Sequence, residues 1–437
     1  MESKLKNRET VAIGLMMFAL FLGAGNLIFP PAMGQGAGEH VWIATLGFLV
    51  TGVGLPLLGI TAIAISGGDL QALSSRVHPT FGLVFTLLVY LAIGPLFGIP
   101  RTGTVAYEIG VFPFLSERLN TSAFPLLIFT LIFYSITFIV SLNPSKLVTA
   151  IGKVLTPILL VLLTILAFRG ILFPIGDLQS AKFDYIEQPF FQGFLDGYLT
   201  MDAIAALVFG IIIISRIQEK GITNKKVLTL TTIKAGVIAV VGLSAVYLSL
   251  AYLGATSVSV IGELDNGGAI LTSIAQLLFG WFGMVILALV ITVACLTTSI
   301  GLVSACGEYV NQLFPKLSYP MIIAVICIFS MTMANLGLTQ LIQVSLPILI
   351  AIYPIAIVLI MISFLDPLFG GSRYVYSGGV IGAGLISIVD GFITASFQFT
   401  KIVELYGLIP LYNVGVGWII PSLVGAIVGY GISKRKT

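Results

Sequence analysis

The sequence predicts an all-α integral membrane protein with twelve transmembrane helices, and three observations support this prediction. First, 58% of the 437 residues are hydrophobic and only 9% are charged, whereas soluble proteins carry about 25% charged residues. Second, the apolar residues form runs that reach the roughly 20 residues a helix needs to cross a bilayer. Third, Lys and Arg are divided very unequally between the two predicted sides of the membrane. We expect residues 1–437 to form a single transmembrane domain surrounded by lipid.

The predicted spans follow one another with short polar connections. They fall near residues 10–33, 41–66, 80–112, 123–142, 147–173, 190–216, 227–254, 268–311, 319–336, 339–364, 375–399 and 409–432. The third and eighth runs exceed the thickness of a bilayer, which predicts tilted helices or helices that extend beyond the membrane. The longest connections, about 174–189 and 255–267, are too short for a soluble domain.

The distribution of basic residues predicts the orientation of the chain. The first ten residues are polar, and the apolar run that follows them is longer than a signal-peptide core, so we expect a retained tail. With this tail in the cytoplasm, 16 of the 21 Lys and Arg residues lie on the cytoplasmic side and 5 on the other. Basic residues favour cytoplasmic loops. An even number of spans then places both termini in the cytoplasm.

The first span is interrupted within residues 22–38. Gly23, Gly25 and Asn26 break the apolar run, and two prolines follow. A broken helix in hydrocarbon leaves N–H and C=O groups unpaired, at several kcal/mol each. A simple kink is one interpretation. We favour the other, a split helix whose free backbone groups bind a ligand, because a second interrupted span occurs later.

The second interruption lies in the sixth span, at residues 196–205, where Gly197, Thr200 and Asp202 break the apolar background. An aspartate at this depth costs at least about 2.5 kcal/mol, so it needs a partner or water. The polar residues are expected to cap the following half-helix, to contact a ligand, or to do both. Four intact spans separate the two broken ones, a spacing typical of inverted-repeat transporters. On this interpretation the two repeats are residues 1–173 and 190–364.

The eighth span carries hydroxyl groups on one face. Ala294, Thr297 and Thr298 are separated by three and four positions, so they share a helix face. Two hydroxyls and a carbonyl, set against the carbonyls of a broken helix, would suit a hard cation. The alternative is that each threonine only bonds the carbonyl of its own preceding turn.

Several functional classes receive no support from the sequence. It contains no GxSxG, HExxH or GxxxxGK[ST] motif, so we expect neither an enzyme nor a cofactor. None of the three cysteines has a CxxC partner, which argues against a zinc site or a disulfide framework. No basic tract suggests nucleic-acid binding, and nothing indicates an obligatory protein partner.

Three motifs resemble the bacterial branched-chain amino acid:cation symporter family. They are GAGN at residues 23–26, GPLFGIPRTGTVAYE at 94–108 and DGYLTMDAIA at 196–205, and the resemblance extends over essentially the whole chain. It implies a carrier for leucine, isoleucine and valine in the bacterial plasma membrane. The implied fold is the five-plus-five inverted repeat of the leucine transporter, with discontinuous helices 1 and 6 and two additional helices at residues 375–432.

The resemblance also implies a sodium site between the first and eighth spans. Its ligands would be the backbone carbonyls of Ala19, Leu22 and Ala294 and the hydroxyls of Thr297 and Thr298. A second sodium site is not recognisable, so we expect one cation per substrate.

The substrate site is expected where the two breaks face each other. The free N–H groups at the start of the outer half of span one favour the carboxylate of an amino acid, and carbonyls near the end of the inner half of span six favour its ammonium. Span three would complete an apolar pocket. The predicted substrate-binding residues are Gly23, Ala24, Gly25, Asn26, Ile99, Thr104, Tyr198, Leu199, Thr200, Met201 and Asp202.

Some alternatives stay open in the sequence. Proton coupling is the alternative to sodium, with Lys153 in the fifth span as a candidate group, although such a lysine commonly extends to the membrane surface. Arg101 and Glu108 would pair with each other or form an outer gate. A channel or a membrane sensor is the alternative from another class, but the polar residues are concentrated at two breaks and do not line the faces of several spans.

Overall fold

The computed structural model of the chain describes residues 6–67, 69–120, 122–143 and 146–436, and these residues are helical with no strand. Side chains of residues 117, 120, 146–156, 183 and 436 lie outside the description. The first half contains α1 (Asn7–Phe21), α2 (Ala24–Ala37), α3 (Val41–Leu49), α4 (Leu55–Ser66), α5 (Leu70–Ser74), α6 (Pro79–Leu91), α7 (Gly98–Gly110), α8 (Glu117–Asn120), α9 (Phe124–Ser141) and α10 (Lys146–Leu172). The second half contains α11 (Pro189–Asp196), α12 (Asp202–Gln218), α13 (Lys225–Ile261), α14 (Gly267–Leu313), α15 (Tyr319–Ala334), α16 (Leu338–Phe369), α17 (Arg373–Thr394), α18 (Thr400–Tyr406) and α19 (Ile419–Lys436).

Each predicted span coincides with a helix or with consecutive helices, and the second matches residues 41–66 at both ends. The last predicted span starts too early, because α19 begins only at Ile419. By length and hydropathy, seven helical segments of the described residues qualify as membrane spans, and the bent pair α11–α12 would add an eighth. Helices such as α1, with 15 residues, and α15, with 16, are shorter than a usual span. The count of twelve spans therefore stays a prediction.

The two overlong runs contain breaks in the helix. A π-helical turn at Ala92–Leu96 joins α6 to α7, and within it Gly94 has non-helical angles of φ −91° and ψ −123°. Gly280 interrupts α14 with φ +63°, a left-handed conformation that glycine adopts without steric cost. The third and eighth runs were predicted to be tilted or extended helices. In the structure, the helix is also interrupted at Gly94 in the third run and at Gly280 in the eighth.

The first span is broken at two residues only. Leu22 (φ −73°, ψ 74°) and extended Gly23 (φ −99°, ψ −173°) separate α1 from α2. The N–H of Gly23 donates to the Phe21 carbonyl at 2.7 Å and to Asn26 Oδ1 at 3.1 Å, so it is turned away from its usual helical acceptor at Ala19. Pro30 and Pro31 lie inside α2 without ending it. The interruption is therefore shorter than the predicted stretch of residues 22–38.

The sixth span is broken as predicted. After α11, the 3₁₀ turn Gly197–Thr200 leads to Met201, whose φ of 62° is left-handed, and α12 starts at Asp202. The two halves are bent by 44°. A Cβ on Gly197 would lie 1.9 Å from Thr51 Oγ1, so only glycine lets this turn approach the second span.

Glycines hold α2 close to its neighbour α13. A Cβ on Gly34 would lie 2.0 Å from the Ala251 carbonyl oxygen, and one on Gly254 would lie 2.1 Å from that of Pro31. Small residues allow membrane helices to pack with their backbones in contact. This contact fixes α2 beside α13, while α7 and α14 cover its other sides.

The C-terminal helices pack outside this centre. Helices α17 and α19 contact each other and α17 contacts α16, and a Cβ on Gly378 would lie 2.0 Å from the Gly425 carbonyl oxygen. The broken helices α1–α2 and α11–α12 are thereby left to form the centre of the molecule with α7, α13 and α14.

Candidate functional site

A buried hydrogen-bonded cluster joins the two breaks. Asn26 Nδ2 donates to Asp202 Oδ2 and to the Tyr247 hydroxyl, and that hydroxyl donates to Asp202 Oδ2 at 3.0 Å. All three side chains are at most 4% exposed. A carboxylate inside a membrane span needs hydrogen-bond donors. Asn26 and Tyr247 supply them, so the partner predicted for Asp202 is present.

Asn26 is suited to this position because its amide both donates and accepts. Its Oδ1 accepts from the N–H of Gly23, which caps the first turn of α2, while its Nδ2 reaches the sixth and seventh spans. One side chain therefore stabilises the break in the first span and connects it to the break in the sixth.

Thr200 provides the capping contact at the start of α12. Its hydroxyl donates to the Gly197 carbonyl at 2.9 Å and accepts from the N–H of Asp202 at 3.3 Å. Asp202 is the first residue of α12, where the positive end of the helix dipole stabilises a carboxylate. The capping interpretation therefore holds for Thr200, whereas contact of Asp202 with a ligand stays a prediction.

Arg101 of α7 is buried beside the same breaks, with 2% of its surface exposed. Its Nη1 donates to the Leu199 carbonyl, and its Cζ lies 5.0 Å from the centre of the Phe29 ring. The Nε and Nη2 atoms have no hydrogen-bond partner. The pairing with Glu108 that the sequence left open is wrong, because Glu108 Oε1 accepts from Asn266 Nδ2 at 3.0 Å.

These groups surround a small cavity. Its lining includes residues 23–26 of the first break, residues 200–202 of the second, Arg101 and Thr102 of α7, and Thr298 of α14. Apolar side chains complete the lining: Leu20, Phe21, Ile93, Ala205, Phe209 and Leu302. The cavity thus combines a polar wall with an apolar one.

Most of the predicted substrate-binding residues meet at this cavity. Gly23, Ala24, Gly25, Asn26, Thr200, Met201 and Asp202 line it. The other predicted residues lie outside the described lining. They are Ile99, whose carbonyl accepts from Tyr134, Thr104, whose hydroxyl donates to the Arg101 carbonyl, Tyr198, which stacks on Tyr353, and Leu199, whose carbonyl faces Arg101.

The side of α7 that faces the cavity explains why Ile99 and Thr104 are not in its lining. Gly98, Arg101 and Thr102 line the cavity at positions i, i+3 and i+4, which share one side of a helix, whereas Ile99 and Thr104 lie off that side. Sequence reasoning missed Arg101 as a residue of the site. The signal was present, since an arginine inside an apolar span is costly and is usually functional.

The proposed sodium ligands make local contacts. The hydroxyls of Thr297 and Thr298 both donate to the Ala294 carbonyl, at 2.9 and 3.0 Å. These are the bonds of the alternative interpretation, although each hydroxyl oxygen retains lone pairs. Thr298 Cγ2 lies 4.0 Å from the position of a Cβ on Gly23. Ala19 lies in the last turn of α1 and Leu22 lies in the break itself. The five-oxygen set stays a prediction.

The side chain of Lys153, the candidate for proton coupling, lies outside the described residues.

A second, larger cavity of about 410 Å³ lies further along α12 and α14. Its lining includes Asp69, Tyr90, Arg216 and Glu308, contributed by α5 or its cap, α6, α12 and α14. The rings of Tyr90 and Tyr309 stack in its wall with their centres 3.9 Å apart. On α12 and α14 its lining residues follow directly from those of the small cavity, so we call this larger cavity the vestibule.

Comparison with known proteins places the chain among transporters. A family profile described as "Branched-chain amino acid transport protein" matches residues 6–436. The chain is 51% identical to the branched-chain amino acid permease BraB of Bacillus subtilis, over 98% of this chain and 96% of the relative. It is 42% identical to the branched-chain amino acid permease BrnQ of Escherichia coli, over 98% and 96% respectively. The relatives are named as permeases, which confirms that the chain is not an enzyme.

Solved structures share the fold at low sequence identity. Mhp1, a nucleobase-cation-symport-1 family transporter, superposes with a TM-score of 0.62 and 11% identity, over 98% of this chain and 92% of that one. MhsT, solved in complex with L-phenylalanine, superposes with a TM-score of 0.53 and 14% identity, over 99% of both chains. Both are transporters of the leucine-transporter fold, so the predicted fold type is confirmed at the level of the overall architecture.

Proposed function

This chain belongs to the family of branched-chain amino acid transport proteins, and we propose that it is a secondary transporter that imports leucine, isoleucine and valine together with sodium by alternating access. The observation that carries the proposal is the cavity between two broken helices, whose lining combines residues 23–26 and 200–202 of the two breaks with apolar side chains. The permeases BraB and BrnQ, named for branched-chain amino acids, support the choice of substrate.

The polar wall suits the two charged groups of an amino acid. The N-terminus of α2 offers free N–H groups and a positive dipole end to the carboxylate. The carboxylate of Asp202, at the start of α12, suits the ammonium group. The substrate would thus lie across both breaks.

The apolar wall suits a branched aliphatic side chain. Ile93, Phe209 and Leu302 line the cavity, and burying a leucine side chain contributes roughly 1.5–3 kcal/mol. A single methylene changes binding by only about 1–3 kcal/mol. We therefore expect one site to accept leucine, isoleucine and valine.

Sodium is the proposed driving ion, because oxygen ligands surround hard cations and Thr298 lies beside the unwound backbone at Gly23. Its five proposed ligands are the carbonyls of Ala19, Leu22 and Ala294 and the hydroxyls of Thr297 and Thr298. Proton coupling through Lys153 is the second candidate. A twelve-span bacterial plasma-membrane protein with a five-plus-five repeat and both termini in the cytoplasm completes the proposal.

The test is leucine uptake by the purified protein in proteoliposomes, with sodium and pH gradients imposed separately and the membrane potential clamped. An inward sodium gradient alone should accumulate labelled leucine above equilibrium, and protein-free liposomes serve as the control. Accumulation of leucine driven by the pH gradient alone would show that the proton, and not sodium, is the driving ion. Leucine entry that only equilibrates under either gradient would indicate a channel and overturn the proposal.

A further inference from the structure

The proposed function does not use the Arg101 guanidinium, which lines the cavity. It is 2% exposed, and its Nε and Nη2 atoms have no hydrogen-bond partner. A buried cation without a counter-ion is strongly unfavourable, and buried charges are normally paired. A guanidinium with two unpartnered nitrogen atoms inside a membrane protein therefore points to a binding site for an anion.

The groups that bond to Arg101 or stack on it are neutral, and the Asp202 carboxylate acts on it only from beyond ion-pair distance. The contacts of Arg101 are the Leu199 carbonyl and the Phe29 ring. Asp202, the acidic residue that shares its cavity, already accepts at Oδ2 from Asn26 and Tyr247. Among the described residues, no carboxylate lies within ion-pair distance of the guanidinium.

The guanidinium also faces the start of α2. A Cβ on Gly25 would lie 3.1 Å from Arg101 Nη1 and 3.3 Å from the Phe29 ring, so the arginine lies directly over the first turn of that helix. The first turn of a helix is a positive dipole end with free N–H groups. Two positive features thus meet at one side of the cavity, which favours an anionic group between them.

We propose that Arg101 binds the carboxylate of the transported amino acid, so that the substrate serves as its counter-ion. This inference rests on the proposed function and adds to it a binding residue on α7. A guanidinium holds a carboxylate through two parallel hydrogen bonds, and Nε and Nη2 are the two atoms left unpartnered. Asp202, at the other break, then faces the ammonium group of the same zwitterion.

The experiment compares Arg101→Gln and Arg101→Lys with the wild type in detergent, by thermal unfolding and by equilibrium binding of leucine in saturating sodium. Without leucine, Arg101→Gln should unfold at the same temperature as the wild type or higher, because it removes an unpaired buried charge. Its leucine affinity should fall about 30-fold or more, since the substrate carboxylate loses its charged partner. Arg101→Lys should recover part of that loss.

Arg169→Gln is the matched control, because Arg169 also lies over a phenylalanine ring, 4.1 Å from that of Phe173, and is not part of the cavity lining. Its leucine affinity should equal that of the wild type. Leucinamide, which lacks the carboxylate, should bind the wild type more weakly than leucine does.

Wild-type leucine affinity in Arg101→Gln would overturn the inference. If the substrate-free variant also unfolded at a lower temperature, that result would assign Arg101 to holding the Leu199 carbonyl. A wild-type protein that binds no leucine would instead overturn the proposed function, and the inference with it.

Discussion

At the scale of single residues, the cavity depends on three side chains from distant parts of the chain. Asn26 contacts Asp202 and Tyr247 although 176 and 221 positions separate them in sequence. The Asn26 amide accepts from its own helix and donates to the other two residues. The position of the Asp202 carboxylate is therefore determined by donors on α2 and α13.

Replacing Tyr247 with phenylalanine should weaken leucine binding by about tenfold, because a hydrogen bond to a charged group contributes about 1.5–3 kcal/mol. The measurement is equilibrium binding of leucine to the purified variant. Tyr309→Phe is the control, since the Tyr309 hydroxyl is buried without a partner and its ring stacks in the vestibule. Equal affinity in both variants would show that the Tyr247 hydroxyl does not position Asp202.

Sequence reasoning identified Asp202 as a residue that needs a partner but could not name that partner. The cost of an intramembrane carboxylate follows from its chemistry, whereas Tyr247 belongs to a span whose sequence shows no irregularity. For Arg101 the sequence left two alternatives, a pair with Glu108 seven positions along the chain or an outer gate. The helix instead directs Arg101 to the cavity, while Glu108 meets Asn266 at the start of α14.

At the scale of helices, the two breaks could be located from sequence, but their extent could not. Glycine and asparagine predicted the first break, and the contact of Gly23 with Asn26 accounts for it. The prolines suggested a longer interruption. They are accommodated within α2, where neighbouring residues of α13 pack against the backbone at Pro31, as happens in membrane helices whose freed groups find other contacts.

The contact between the first break and α14 leads to a prediction about sodium. Replacing Thr297 and Thr298 together with alanine should raise the sodium concentration for half-maximal leucine uptake by about tenfold or more, because two oxygen ligands of a hard cation are lost. Leucine affinity at saturating sodium should change much less. The measurement is initial uptake in proteoliposomes over a range of sodium concentrations.

Thr332→Ala is the matched control for this pair. Its hydroxyl donates to the Ile328 carbonyl four positions earlier at 3.0 Å, the same bond that Thr298 makes to Ala294, but on the peripheral helix α15. Sodium dependence should be unchanged in this variant. If the double variant keeps the sodium dependence of the wild type, the two threonines serve only their own helix.

At the scale of the whole molecule, the two ends of the cavity differ. Opposite the vestibule, the connection between α10 and α11 is fixed to the end of α2, since the N–H of Lys182 donates to the Gly36 carbonyl at 2.9 Å. Lys182 also pairs with Glu263, and Tyr185 bonds Asp196. The vestibule lies at the other end of α12 from this connection and is lined by residues of α5 or its cap, α6, α12 and α14.

The orientation predicted from the basic residues assigns the vestibule to the cytoplasm. Arg216, in the lining of the vestibule, is one of the 16 basic residues predicted on the cytoplasmic side. Lys182, at the other end, is one of the 5 predicted outside. A protein that alternates between two openings must close the vestibule when it opens the other end. Labelling from each side of the membrane therefore tests the orientation and the open side together.

Single cysteines at Ser215, in the lining of the vestibule, and at Ser180, in the connection before α11, should react with a membrane-impermeant maleimide from opposite sides. We expect Ser215→Cys to react only in inside-out vesicles and Ser180→Cys only in right-side-out vesicles. The native Cys295, Cys306 and Cys327 are buried, so the unmodified protein is the background control.

Leucine with sodium should change the rate of maleimide labelling at Ser215→Cys several-fold, because binding shifts the population between the two openings. Labelling of Ser215→Cys from the outside would show that the orientation is the reverse of the predicted one. A labelling rate that does not change with leucine and sodium would contradict alternating access.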